Sequence, residues 1–385
     1  MHSSPGCLSE REIKILPVSG FRGIRDFADV PWKIYANDPL WVPPLKLERW
    51  LHFSRFNPYF KHAQWQGWIA YQDNQPVGRI SAQIDTLHQE RYGPHTGHFG
   101  MLESIHDEAV FSQLIRTAEN WLIEHDAYQI TGPFNFSINH DCGLLVQGFD
   151  TPPVFMMPYS PEWYAGLLEQ NGYSPRKDLL AYWLETDFEP PPAMRMIDHK
   201  YRNQIQVRTL RRNQFDEEIE IMRTIFNDAW SGNWGFVPFT SEEFAELGSS
   251  LRWLVPDEFV QIAEMNGEPV AFMVGLPNLN EILPALNGKL LPFGWLQLAR
   301  KLRANTITTA RVPLMGVRKQ FHHTLPGIAL AFKVIDAPRK IAHARGIQHV
   351  ELSWILEDNQ PMRAILEKIG AREYKRYRIY EKALA

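Results

Sequence analysis

Few stretches of this chain bring reactive groups together at a useful spacing. One is Thr324-Leu325-Pro326-Gly327-Ile328-Ala329, between a strand-like run and a helical one. A helix starting there would turn free N–H groups and the positive end of its dipole toward a phosphate. Gly327 and Ala329 stand in a Gly-x-Ala spacing between strand and helix, which a plain strand-to-helix turn would also use. The preceding Arg318-Lys319-Gln320-Phe321-His322-His323 adds positive charge. A second stretch, Gly132 to Gly143, packs Asn135, Ser137, Asn139, His140, Asp141 and Cys142 among turn residues, the composition of a functional loop. Neighbours in sequence seldom form a nucleophilic triad, so Cys142 beside His140 and Asp141 is not read as one. The third is apolar: Trp230, Trp234, Phe236 and Phe239 fall within one loop, where they either line a cleft or pack on the core.

The elements that must position these residues follow from periodicity. Val350, Leu352 and Trp354 alternate as in a half-buried strand, and Asn359 or Asp358 can cap the next helix, with Pro361 in its first turn. Met362, Ile365, Leu366 and Ile369 share one helical face, Gly370 suits its C-terminal stop, and a strand from Tyr374 to Glu381 closes the unit. Upstream, the pattern predicts a strand over Ile205 to Leu210, a helix over Phe215 to Trp230, a second short helix and a hairpin over Phe259 to Leu276. An insertion at 277–303, a strand over Thr306 to Val317 and a helix over Ile328 to Ala344 come next. The N-terminal half reads as hairpin Trp68 to Ile84, strand His98 to Glu103, helix Phe111 to His125, strand Tyr128 to Thr131 and a late helix–strand pair.

The halves echo each other. Ile69-Ala70 with Pro76-Val77 repeats as Ile262-Ala263 with Pro269-Val270, an offset of 193 residues. Leu167-Leu168-Glu169 with Gly172 repeats as Ile365-Leu366-Glu367 with Gly370, an offset of 198. We read a tandem pair of α/β domains, residues 1–187 and 194–385, joined by a Pro-rich linker at 188–193, with Arg195 to Arg212 as solvated linker and first strand. A length of 385 residues suits two cores, and a net charge of −4 gives no reason to expect a nucleic-acid partner. Two cysteines, Cys7 and Cys142, exclude a disulfide framework and a paired-Cys metal site. The start of the chain is read as carrying no signal peptide, and no apolar stretch reaches membrane-spanning length.

The strand–Asn359–helix–Gly370–strand order resembles the C-terminal part of the GNAT (acyl-CoA-dependent N-acyltransferase) superfamily, and the whole C-terminal half follows that fold's order. The resemblance implies two GNAT-like domains, each a mixed, mainly antiparallel sheet flanked by helices, in a transferase of bacterial type. It implies acetyl-CoA or a longer acyl-CoA as co-substrate and no metal. The donor's phosphates would lie at Thr324, Gly327, Ile328 and Ala329, although Thr324 replaces the family's usual Gln or Arg. Its thioester carbonyl would meet a backbone N–H around Leu314, Gly316 and Val317, with Asn359 at the motif position. The N-terminal half has no glycine after Met101 to Ile105, so it is expected to be degenerate.

The resemblance places Leu366 where the family often has an acidic Tyr, leaving Ser353, Tyr374 or Tyr377 as the proton donor. No carboxylate lies on the strand from Thr306 to Val317, so Glu264, Asp228 and Glu351 are the candidate bases, each equally at home in an ion pair. Trp230, Trp234, Phe236, Phe239 and Asn135 are expected at the acceptor. In the insertion, Leu291, Trp295, Leu298 and Leu302 form a narrow stripe flanked by Lys289, Arg300, Lys301 and Arg303. That pattern suits a membrane-surface contact, an active-site lid or an ordinary packed helix. The aromatic loop and the insertion are similar to bacterial GNAT-type ceramide synthases, which implies a lipid amine such as a sphingoid base. The expected setting is the cytoplasm, with a peripheral contact on its membrane through 289–303, as monomer or homodimer. An inactive GNAT-fold binding protein is the alternative; an aminoacyl-tRNA-dependent transferase is disfavoured, because neither a charged helical arm nor a basic surface is visible.

Overall fold

The computed structural model describes residues 12–304 and 306–384; Cys7 and the segment read for a signal peptide lie outside them. Among the described residues thirteen strands form one continuous sheet. The N-terminal half supplies β1 (Lys14–Pro17), β2 (Ala63–Gln72), β3 (Gln75–Asp85), β4 (Thr96–Ser104), β5 (Gln129–Gly132), β6 (Leu144–Gln147) and β7 (Ser174–Glu185). The C-terminal half supplies β8 (Ile205–Thr209), β9 (Val260–Met265), β10 (Glu268–Pro277), β11 (Thr309–Val317), β12 (His349–Leu356) and β13 (Arg372–Ala383). The spatial order is β1-β2-β3-β4-β5-β13-β7-β12-β11-β10-β9-β8, with β6 also beside β13. Among the described residues only β4/β5 and β11/β12 pair in parallel.

This order means that the halves exchange their last strands. β13 ends the chain yet pairs with β5, Tyr380 facing Gly132, and buries Tyr380 in the N-terminal core. β7 pairs with β12, Leu352 facing Tyr182. Its run Leu179-Leu180-Ala181-Tyr182 is buried without alternation, as expected of a strand covered on both faces.

The Glu108–Glu124 helix is capped by Asp107 and lays Val110, Phe111, Leu114, Ile115 and Leu122 on the N-terminal sheet. Phe215–Trp230 and Leu325–Ala344 serve the C-terminal half, and Thr240 with Glu243 forms a capping box at the start of Ser241–Leu251. The stretch expected to be linker instead forms a helix, Pro192–Tyr201. Proline is well placed at its first position, and Met194 joins a core cluster with Phe332. The insertion's stripe also divides: Leu298 and Leu302 pack on the core, whereas Leu291 and Trp295 are 75% and 55% exposed.

Candidate active site

β11 and β12 pair only from Thr309↔His349 to Val312↔Leu352. Pro313 follows, with no N–H to continue the ladder. Val312 and Pro313 both stand opposite Gly275 of β10, a bulge that turns β11 aside. The strands part, and a cavity of about 110 Å³ opens there, lined by Arg311, Pro313 and Leu314 on one side and by Trp354 and Leu356 on the other.

Its walls are aromatic. The structure brings Trp230, Trp234, Phe236 and Phe239 together around it. Trp230 is fixed by donating its indole N–H to Met315 O at 2.8 Å and by stacking on Phe226 at 5.1 Å. The facing wall is Ile138 to Cys142 of the N-terminal half, so the cleft needs both halves.

The equivalent opening between β4 and β5 is filled by its own chain. Phe134 N–H donates to Phe99 O, Met101 N–H donates to the Asn135 side chain, and Gln83 donates to Phe134 O. A Cβ on Gly100 would lie 1.9 Å from Phe134 O, so the plug seats only against glycine. Asn135 therefore holds this plug to β4 rather than lining the cleft. The plug's far end then presents His140 and Cys142 to the cleft.

Beneath the cavity lies a buried polar cluster. Arg311 donates from Nε to Ser353 Oγ at 3.0 Å and from Nη1 to Met156 O at 2.7 Å. Glu351 Oε1 lies 3.6 Å from Arg311 Nε and accepts from Ser353 Oγ at 2.6 Å, while its other oxygen accepts from the Tyr374 hydroxyl. Tyr377 is wholly buried, with no partner for its hydroxyl among the described residues. Burial first, then the charge on Glu351, holds both Tyr374 and Tyr377 well above the usual phenol range, so both stay protonated. Glu351, Ser353 and Tyr374, singled out in the sequence, share this cluster with Arg311, which was not singled out, and Tyr377 is buried close by. The signal for Arg311 was a lone cation between Ala310 and Val312 on an otherwise apolar strand.

His140 was also passed over, as part of a discounted triad. Burial pushes its imidazole down to about 4, so it is neutral at physiological pH, and Nδ1 lies 3.1 Å from Ser137 Oγ. Burial pushes the Cys142 thiol up, which keeps it protonated and unsuited to act as a nucleophile.

Other expected residues lie elsewhere. Glu264 bonds Arg208 Nε at 2.6 Å between β8 and β9, an ion pair outside the cleft, and this corrects its reading as a base. Asp228, at the end of the Phe215–Trp230 helix, accepts from Lys319 N–H at 2.8 Å at the surface. Asn359 caps its helix through Met362 N–H. Leu366 is 1% exposed in a core cluster with Phe332. Gly316 packs against Phe272 and Ala229, and Val317 pairs with Ala271. At the helix start Gly327 N–H donates to Thr324 Oγ1 at 3.1 Å, Ile328 N–H donates to Thr324 O, and Pro326 has no N–H; Ala329 is fully buried. A Cβ on Gly327 would lie 2.0 Å from Phe321 O, which by itself accounts for the glycine. Lys319, His322 and His323 stay exposed beside this turn.

Two exchanged α/β halves, with one parallel strand pair opened onto a cleft, define an acyltransferase fold of the GNAT type. Over 97% of this chain and 99% of its own, a tandem GNAT protein from the clavulanic acid biosynthesis pathway superposes with a TM-score of 0.57 at 12% identity. A GCN5-related N-acetyltransferase from Sphaerobacter thermophilus gives 0.51 at 14% identity, covering 96% of each chain. The chain is 41% identical over 376 residues to the bacterial ceramide synthase of Caulobacter vibrioides, covering 97% of this chain and 98% of that one. It is 49% identical over 362 residues to protein YghO of Escherichia coli, covering 94% and 93%. It belongs to the family of these proteins. No family model matches it.

Proposed function

We propose that this chain is an acyl-CoA-dependent N-acyltransferase that places an acyl group on the amine of a lipid, a sphingoid-type base being the best fit. The observation that carries the reading is that the gap between β11 and β12 runs directly into a cleft walled by Trp230, Trp234, Phe236 and Phe239. Such walls suit hydrocarbon chains. The name of the Caulobacter relative agrees with this reading.

The donor would lie along Leu314, Gly316 and Val317. Its phosphates would lie near the Thr324 turn, where Lys319, His322 and His323 offer charge and the Gly327 N–H would have to leave Thr324. The neutral amine attacks the thioester carbon, the C–S bond breaks, and CoA leaves as a thiolate. His140, whose Nε2 lone pair is free when Nδ1–H donates to Ser137, relays the amine's surplus proton to the departing thiolate and returns to its neutral form.

The chain would reach its lipid from a membrane surface. Leu291, Phe293, Trp295 and Leu296 are exposed, and the neighbouring Lys46–His52 helix, tied by Lys46 N–H to Gly288 O, adds exposed Leu47 and Leu51. Lys289, Arg300 and Arg303 flank this surface and suit anionic headgroups. Among the described residues no helix is long and apolar enough to cross a membrane. A peripheral protein on the cytoplasmic membrane, as monomer or homodimer and without a nucleic-acid partner, meets these requirements.

The closed Thr324 turn and the core position of Leu366 favour a second reading, a binding protein without turnover. Release of free CoA thiol separates the two. Release that requires both long-chain acyl-CoA and lipid amine supports transfer. Saturable acyl-CoA binding with no release supports the binding protein.

A further inference from the structure

Arg311 is 2% exposed, yet its hydrogen bonding is incomplete. Nε is taken by Ser353 Oγ, and Nη1 by Met156 O at 2.7 Å and Phe155 O at 3.3 Å. Nη2 has no hydrogen-bond partner among the described residues, and Arg311 lines the cleft. The guanidinium sits over the Trp354 ring, 4.9 Å from its centroid, so it is held on its face as well as at its edges. Met156, whose carbonyl it holds, is itself left-handed with φ 63°. Nη2 keeps access to the cleft rather than being sealed in, and a donor so fixed is a binding group waiting for its acceptor.

The charges say what kind of acceptor. Glu351 is wholly buried 3.6 Å away and balances Arg311, and its own oxygens are filled by Ser353 and Tyr374. Nearby Asp141 faces Arg49 at 3.9 Å. The buried Lys375 is already taken by Gly148 O and Thr151 O, so a carboxylate or phosphate brought to Nη2 would set a further buried negative charge beside Glu351 and Asp141, whereas an uncharged oxygen would complete the bonding at no such cost. The carbonyls of Phe155 and Met156 that orient Arg311 belong to the N-terminal half, which forms the wall opposite the donor strand.

We propose that Arg311 Nη2 binds an uncharged hydroxyl or carbonyl oxygen on the acceptor, close to its amine, so that the cleft selects an oxygen-bearing lipid amine over a plain hydrocarbon amine. This rests on the N-acyltransferase reading above.

The test compares a long-chain primary amine with the 2-amino-1-alkanol of the same chain length, by kcat/KM at saturating acyl-CoA. The wild-type protein should prefer the amino alcohol at least about tenfold. Arg311→Met with Glu351→Gln removes both charges together and should bring that preference close to one, with the KM for acyl-CoA unchanged. If that double variant does not fold, Arg311→Lys, which keeps the charge but loses the fork, should also lose the preference. A preserved preference overturns the proposal, as does a kcat that falls equally for both acceptors, which would put Nη2 on the donor's carbonyl. If the wild-type protein acylates neither amine, the acyltransferase reading fails separately. Calorimetry of the two lipids with wild-type and Arg311→Lys protein then decides: equal binding by the wild type overturns the proposal, and tighter binding of the amino alcohol that Arg311→Lys loses supports it.

Discussion

His62 Nδ1 meets Asp85 Oδ1 at 3.0 Å while Nε2 lies 3.1 Å from Glu243 Oε1, so one imidazole ties β3 of the N-terminal half to the Ser241–Leu251 helix of the other. Burial alone would push His62 down; Asp85 and Glu243 outweigh it and raise it to about 9. A group raised on folding stabilises fully below its unfolded value, near 6.5, and that contribution is lost as pH rises through about 9. His88 and His140 act in the opposite direction, both pushed down to about 4, chiefly by burial. Their contribution is present above about 6.5 and lost as pH falls through about 4. Tm measured against pH should therefore peak near neutrality, and His62→Gln should flatten its alkaline side. An unchanged alkaline slope in that variant would refute the tie.

The exchange of β7 and β13 predicts that the halves unfold together. Calorimetry should show one transition, and truncation after Gly370, which strips β13 from both β5 and β7, should leave neither half folded. Two separate transitions would contradict this.

His140→Gln keeps a neutral polar side chain but removes the lone pair assigned to the amine's proton. Its kcat should fall about 10²- to 10⁴-fold, with KM for acyl-CoA and Tm little changed. A wild-type kcat would remove His140 from the mechanism.

Phe293→Glu with Trp295→Glu places charges on side chains that are 75% and 55% exposed, so Tm should hold. Co-sedimentation with anionic liposomes should fall several-fold. Equal sedimentation would leave that segment without a membrane role.

Local pattern made much of the fold legible. The Phe215–Trp230 helix and the paired hairpins follow from periodicity, since their apolar faces meet one core each. The strand exchange was hidden, because β13 reads the same whichever sheet receives it; only the non-alternating Leu179 to Tyr182 hinted at a central strand. The Pro192–Tyr201 helix was lost to its prolines, which read as a breaker but sit at a helix start. Within the site, the aromatic wall was legible because its residues are close in sequence. Arg311 and His140 were not, because they meet only when β11 and the Gly132–Gly143 loop fold against each other.

The central claim is acyl transfer to a lipid amine in the cleft where β11 and β12 part. The most direct measurement is mass spectrometry of the amide formed from long-chain acyl-CoA and a sphingoid base, by the wild-type protein and by Leu314→Trp, which fills the cavity. The amide should form with the wild type and be lost with Leu314→Trp at nearly unchanged Tm. Amide formed by folded Leu314→Trp at the wild-type rate, or no amide from the wild type, would contradict the claim.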